Sequence, residues 1–136
     1  MAFLDDMGAY LAAASTPTAA LTLGTNLFLG RRPDAPDTMV ALFETAGEAP
    51  TLTFGSNTAP PVESRGLQCQ IRATGYATAE SLATEVWSAL CLIDNEIVGT
   101  TRYLLADPVQ SPFPLDRDSQ DRMLHAVNFV VAREAT

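Results

Sequence analysis

The sequence predicts an α+β domain, a mixed β-sheet with two helices packed on it. Three observations carry this. Leu67, Cys69, Ile71 and Ala73 alternate with Gln68, Gln70 and Arg72, the two-residue period of a half-buried strand. Gly75 breaks that run, and Ala79, Leu82, Ala83, Val86, Trp87 and Leu90 then form one apolar stripe of a helix reaching about Ile93. A second stripe, Phe3, Leu4, Met7, Leu11 and Ala14, stands near the start of the chain.

Taken in order, the first helix covers Phe3 to Ala14. Asp5 and Asp6 fall in its first turn, where negative charge suits the helix dipole, Gly8 weakens its middle, and Pro17 prevents extension. A small-residue segment, Thr18 to Gly24, leads to a short strand at Asn26 to Leu29. Arg31 to Asp37 holds two prolines three apart with Asp34 and Asp37 at turn-favouring positions, so it predicts a loop. Thr38 to Thr45 is a mostly apolar run of strand length, as expected of a strand covered on both faces. Gly47 to Ser64, rich in Gly, Pro, Ser, Thr and Asn, predicts a long arm; within it Thr51 to Phe54 alternates as a short edge strand.

After the helix, Thr101 to Ala106 reads as a strand, and strand, helix, strand in that order predicts a right-handed crossover joining parallel strands. Ser111 to Pro114 with Asp116, Arg117 and Asp118 predicts a rigid polar connection. Met123 to Ala132 is the last strand, with His125, Val127, Phe129 and Val131 on its packed face. The predicted order is α-β-β-(short β)-β-α-β-β, a single domain over residues 1–136 with an arm at about 47–64.

Composition narrows the function. At 136 residues the chain suits one core, burying roughly two-thirds of its unfolded surface. Sixteen acidic residues face eight basic ones, all Arg, for a net charge of −8. Without a basic cluster, gripping nucleic acid or an anionic membrane is disfavoured, because both affinities come from Lys and Arg meeting phosphates. No run of about 18 apolar residues suggests a membrane span. The acidic start, Met1 to Asp6, does not match a secretory signal. Cys69 and Cys91, in apolar surroundings without a CxxC spacing, read as reduced thiols.

Catalytic patterns are sparse. His125, the one histidine, reads as a hydrogen-bonded residue at a core edge or subunit contact, and Cys69 sits on a buried face where thiols are inert. A small Cys/His-dependent or acid–base enzyme is therefore the alternative from another class. Asp116, Asp118 and Asp121 fail the calcium-loop pattern at Gln120, Asp121 and Val127, and read as a solvated acidic loop interleaved with Arg117 and Arg122. No Walker loop, G-x-G-x-x-G or G-x-S-x-G occurs, so no cofactor is expected. The Arg31-Arg32 doublet reads as a surface or inter-subunit partner for carboxylates, and Tyr76 and Trp87 as core between helix and sheet.

The chain resembles, over nearly its whole length, the minor capsid or tail terminator family of long-tailed bacteriophages. The carriers are Asn26-Leu27-Phe28, Arg32-Pro33-Asp34-Ala35-Pro36-Asp37 and Val40 to Glu44, then Gly66 to Ala73 before Gly75 to Ala79. Ser111 to Leu115, Asp116-Arg117-Asp118 and Val127-Asn128-Phe129 complete the set. Asp116 departs from the pattern, where a small residue such as Gly is expected.

The resemblance implies a non-enzymatic virion subunit forming a ring, usually sixfold, at the head-proximal end of the tail and assembled in the host cytoplasm. Its implied partners are copies of itself, the major tail tube protein, a neck or head-completion protein, and genomic DNA that slides through the lumen without specific binding. A head-completion or connector protein of the neck is the nearest alternative. The residues expected at subunit or tube contacts are Arg31, Arg32, Asp34, Asp37, Leu52, Phe54, Arg117 and Asp118.

Overall fold

The last strand organises the sheet. In the computed structural model, which describes residues 2–14, 20–49 and 62–134, the elements follow as α1 (Phe3–Ala13), β1 (Leu27–Leu29), β2 (Met39–Thr45), β3 (Val62–Ala73), α2 (Tyr76–Cys91), β4 (Asp94–Val98), β5 (Thr101–Pro108), β6 (Phe113–Arg117) and β7 (Met123–Glu134). The seven strands are ordered β1-β2-β3-β7-β5-β4, with β6 also on β7. Along one side β7 pairs with β3 for its whole length, from Val62 opposite Glu134 to Ala73 opposite Met123. Along its other side β5 takes Phe129 to Arg133 and β6 takes Met123 to Ala126. Between them Val109 N–H donates to the Asn128 carbonyl at 3.0 Å, so β5 and β6 follow one another along a single ladder interrupted at 109–112.

Both helices lie on one face, as α+β packing requires. Helix α2 packs on β3, β7 and β5, whereas α1 touches β1 and β2 but also β4, at the other end of the strand order. The sheet therefore curls around the helices. Tyr10 Oη donates to the Ala89 carbonyl at 2.8 Å and ties α1 to α2. The core between helices and sheet includes Met7, Leu11, Leu42, Leu67, Ile71, Val86, Leu90, Val127 and Phe129. Each such side chain, fully removed from water, contributes about 1.5–3 kcal/mol. Phe28, Met39 and Ala41, with Phe43 against them, form a smaller cluster at the β1–β2 end.

The predicted α+β class, both helices and five of the predicted strands (as β1, β2, β3, β5 and β7) are found, and the inner stripe of α2 is buried except for half-buried Trp87. Other expectations need correction. The strand after α2 is β4, not Thr101 to Ala106, and it pairs antiparallel with β5. No parallel crossover follows α2, because β7 separates β3 from β5; the parallel pair is β1 with β2. Val98 and Thr101 flank a two-residue turn in which Gly99 takes φ 65°, the conformation a type II′ hairpin asks of its first central residue.

Strand β3 begins at Val62, five residues before the predicted Leu67, so residues 62–64 of the expected arm belong to the sheet. Backbone pairing with β7 and ion pairs of Glu63 and Arg65 replace apolar alternation there. Gly66 permits close contact at the arm's root, since a Cβ would lie 2.6 Å from the Ala46 carbonyl oxygen. The short strand expected at Thr51 to Phe54 falls outside the described residues. Ser111 to Pro114 is not only a connector: Phe113 and Pro114 pair with Ala126 and His125. Tyr76 is 47% exposed, not core, and Cys91 is exposed at the end of α2.

Candidate functional site

The Arg31–Asp37 loop sits beside the β6–β7 hairpin, and the two are bound through arginines that the contact expectation left out. Arg122, only 3% exposed, bonds Asp118 from its Nε at 2.8 Å, Asp37 Oδ1 at 3.2 Å and the Asp34 carbonyl. Arg72, also buried, donates to the Pro36 carbonyl at 2.6 Å and the Asp37 carbonyl at 3.3 Å. Burial pushes the Arg72 guanidinium's pKa down, and the nearby positive charge of Arg122 adds to this. Asp118 Oδ1 further accepts the Gln120 and Arg122 backbone N–H groups at 3.0 and 2.9 Å. Desolvation opposes its ionisation, but these N–H groups and the Arg122 side chain outweigh it and lower its pKa.

The expected solvated acidic loop is therefore a cross-linked turn. Asp37 and Asp118 serve an internal clamp, and Asp34 contributes its carbonyl. Arg117 is turned to the same hairpin, donating to the Asp121 carbonyl at 2.9 Å. Leu52 and Phe54 lie outside the described residues.

Arg31 and Arg32 behave differently. Arg31 is exposed, its guanidinium 5.2 Å from the centre of the Phe28 ring. Arg32, also exposed, donates to Gln70 Oε1 at 2.5 Å and begins a chain of amides over the face away from the helices. Gln70 donates on to Gln68 at 2.9 Å, and Gln68 to Asn128 at 3.0 Å. Among the described residues neither Arg31 nor Arg32 has a carboxylate within ion-pair distance, whereas Arg65, Arg102, Arg117, Arg122 and Arg133 all do.

A second polar system, missed in the sequence, crosses the helix side at the opposite end of β7. Asp6 is fully buried and accepts the Tyr103 hydroxyl at 2.6 Å. Arg133 donates to that hydroxyl at 3.2 Å and to Glu63 at 2.6 Å. Arg65 then reaches Glu63 at 3.4 Å and Glu44 at 2.6 Å. Burial, and secondarily Asp6, raises the Tyr103 pKa well above the usual phenol value. Desolvation of Glu63 is outweighed by Arg133 and Arg65, which hold its carboxyl below the ordinary range. Asp6, expected only to favour the helix dipole, thus anchors α1 to β5. Its position on the buried stripe between Phe3 and Met7 was the available signal.

The residues of the enzyme alternative are poorly placed for chemistry. Cys69 is fully buried, and burial drives its thiol far from ionisation. His125 lies opposite Ile71 while Cys69 lies opposite Val127. The expected hydrogen bond of His125 is absent: both ring nitrogens are buried without a partner, and the ring meets Tyr76 edge-on at 5.1 Å. Burial lowers its pKa, partly offset by Glu80. Among the described residues no three His, Cys, Asp or Glu side chains are grouped to hold a metal ion. None of the described helices is long and apolar enough to cross a membrane.

Beside β4 lies an open groove of about 500 Å³ between Ala9, Tyr10 and Ala13 of α1, Leu92, and Glu96 to Gly99 of the β4–β5 hairpin. Its rim is apolar and acidic, with Leu92 72% and Ile97 60% exposed beside Asp94 and Glu96.

From residue 10 to residue 134 the chain is matched by a family described as bacteriophage tail terminator protein. The chain belongs to the bacteriophage tail terminator family. It is a structural protein of the phage virion tail. Its fold is similar to a chain of a solved structure titled "Virion of native gene transfer agent (GTA) particle", with a TM-score of 0.67 and 19% identity over 98% of this chain and 96% of that one. No curated protein matches this tail terminator.

Proposed function

We propose that this tail terminator forms a ring, of six subunits, on the head-proximal end of the tail, where it stops polymerisation of the tail tube and offers a surface to the neck. The family match over residues 10–134 carries the reading. Physical chemistry is compatible with it. Head-to-tail contacts between identical subunits close into a ring when the rotation permits, and the sheet ends in an edge strand, β4, that another chain can cover. A ring of six chains at −8 each carries about −50, a field that repels DNA phosphates from the lumen if enough carboxylates face it. The genome then slides through without adhering.

Electron microscopy of polymerising tail-tube protein with and without this chain tests the proposal. Tubes capped at one end and limited in length are expected; uncontrolled lengths in the presence of excess protein overturn it. Binding to neck components with no effect on tubes is the result expected of a head-completion protein instead. The enzyme reading is tested separately: a His125→Gln variant that loses some reproducible catalytic activity while still assembling favours it.

A further inference from the structure

We infer that the ring is closed by a charged contact between opposite ends of the sheet, with Arg31 and Arg32, which follow β1 in one copy, meeting Asp94 and Glu96 on β4 of the next. The inference rests on the ring reading and names its interface. It begins from the disposition of cations. Five of the eight arginines hold carboxylates within the chain, and Arg72 is buried against backbone carbonyls. Arg31 and Arg32 are the exposed pair left without a carboxylate among the described residues, on a protein whose acidic residues outnumber basic ones two to one. Arginine forks of this kind match carboxylates bidentately.

The complementary surface is at the other end of the strand order. Strand β4 has a free edge and carries Asp94 and Glu96, neither within ion-pair distance of a described cation. Leu92 and Ile97 stand exposed next to them, and near β1 so does Leu23, 44% exposed. Each of the two ends therefore presents unpaired charge near an exposed apolar residue, and those unpaired charges are opposite. Two different, mutually complementary patches on one chain make a heterologous contact, the type that generates rings. Identical edges meeting by twofold symmetry would set arginine against arginine. The occupant of the β4 edge is accordingly a second copy, approached by its Arg31–Arg32 end.

Charge reversal and rescue test this. The wild-type chain, Arg31→Glu/Arg32→Glu, Asp94→Arg/Glu96→Arg, and the fourfold variant combining both exchanges are compared. Mass is read by light scattering and by occupancy of tail-tube ends in electron micrographs, with thermal unfolding to verify the fold. Each double variant is expected to raise the concentration needed for assembly by about tenfold or more, and the fourfold variant to restore it. Rising salt should weaken the wild-type ring. A wild-type ring that tolerates either double reversal, or a fourfold variant that stays unassembled while folded, overturns this contact and leaves the ring intact as a proposal. A wild-type chain that forms no ring either alone or on tubes overturns both.

Discussion

Buried arginines secure both ends of the β3–β7 ladder, but with different partners. Where β3 ends and β7 begins, Arg72 and Arg122 grip backbone carbonyls of the 34–37 loop, and Arg122 adds Asp118 and Asp37. Where β3 begins and β7 ends, Arg133 and Arg65 grip the carboxylates of Glu63 and Glu44, and through Tyr103 the buried Asp6. The first arrangement fixes a loop whose carbonyls never titrate. The second joins α1, β5, β7, β3 and β2 through ionisable groups, so losing one member strands several others. A buried charge without its partner costs more than the pair contributes.

The largest expected effect follows from that asymmetry. Arg133→Ala should remove about 3–4 kcal/mol of stability, read as a lower urea midpoint, because Glu63 and the Asp6–Tyr103 pair lose their shared cation. Arg122→Ala should cost less, about 2–3 kcal/mol, since Asp118 retains two backbone donors. Equal losses would dissolve the proposed distinction between the ends. Tyr103→Phe should cost about 1–2 kcal/mol by leaving Asp6 without its donor, and Asp6→Asn made in the same background should recover part of it.

Acid separates the ends more gently. His125 belongs to the loop end, and its pKa is lowered in the fold, so the unfolded chain binds the proton more readily. Stability from its neutral form is present above the unfolded value of about 6.5 and is lost as pH falls from there through the lower folded value. Glu63 and Asp118, with lowered carboxyl pKa values, keep their contribution until pH drops below their unfolded values, about 4.5 and about 3.8, and on through their folded values. Urea midpoints between pH 7 and pH 5 should thus decline modestly in the wild type and stay level in His125→Gln. A decline that persists in the variant assigns that range to some other group.

Where the sequence was readable, one face dominated. Leu67, Cys69, Ile71 and Ala73 are all buried as their alternation requires, and so is the α2 stripe apart from half-buried Trp87. Strand β4, by contrast, is Asp-Asn-Glu-Ile-Val at an edge, where side chains need not alternate because little covers them. Strand β6 contains Pro114, which argues against a strand until its position beside β7 is seen. Asp34 and Asp37 were read as turn residues and Asp118 with Arg122 as part of a solvated loop, so the bonds from Arg122 that join the two segments were not foreseen. Arg122 is four residues from Asp118 and 88 from Asp34, and a carbonyl acceptor leaves no trace in composition. Arg31 and Arg32 stand out in the sequence as an adjacent cationic pair in an acidic chain, and both are exposed.

The position of β7 has a consequence for how the protein comes into being. Among the described residues, strands β1 to β3 on one side and β4 with β5 on the other share a ladder only through this strand, which follows all of them in the chain. During synthesis the ribosome releases two half-sheets that have no common ladder until residues 123–134 emerge. Nucleation must then join partners far apart in sequence, a slow route that places the decisive step after translation of every earlier element.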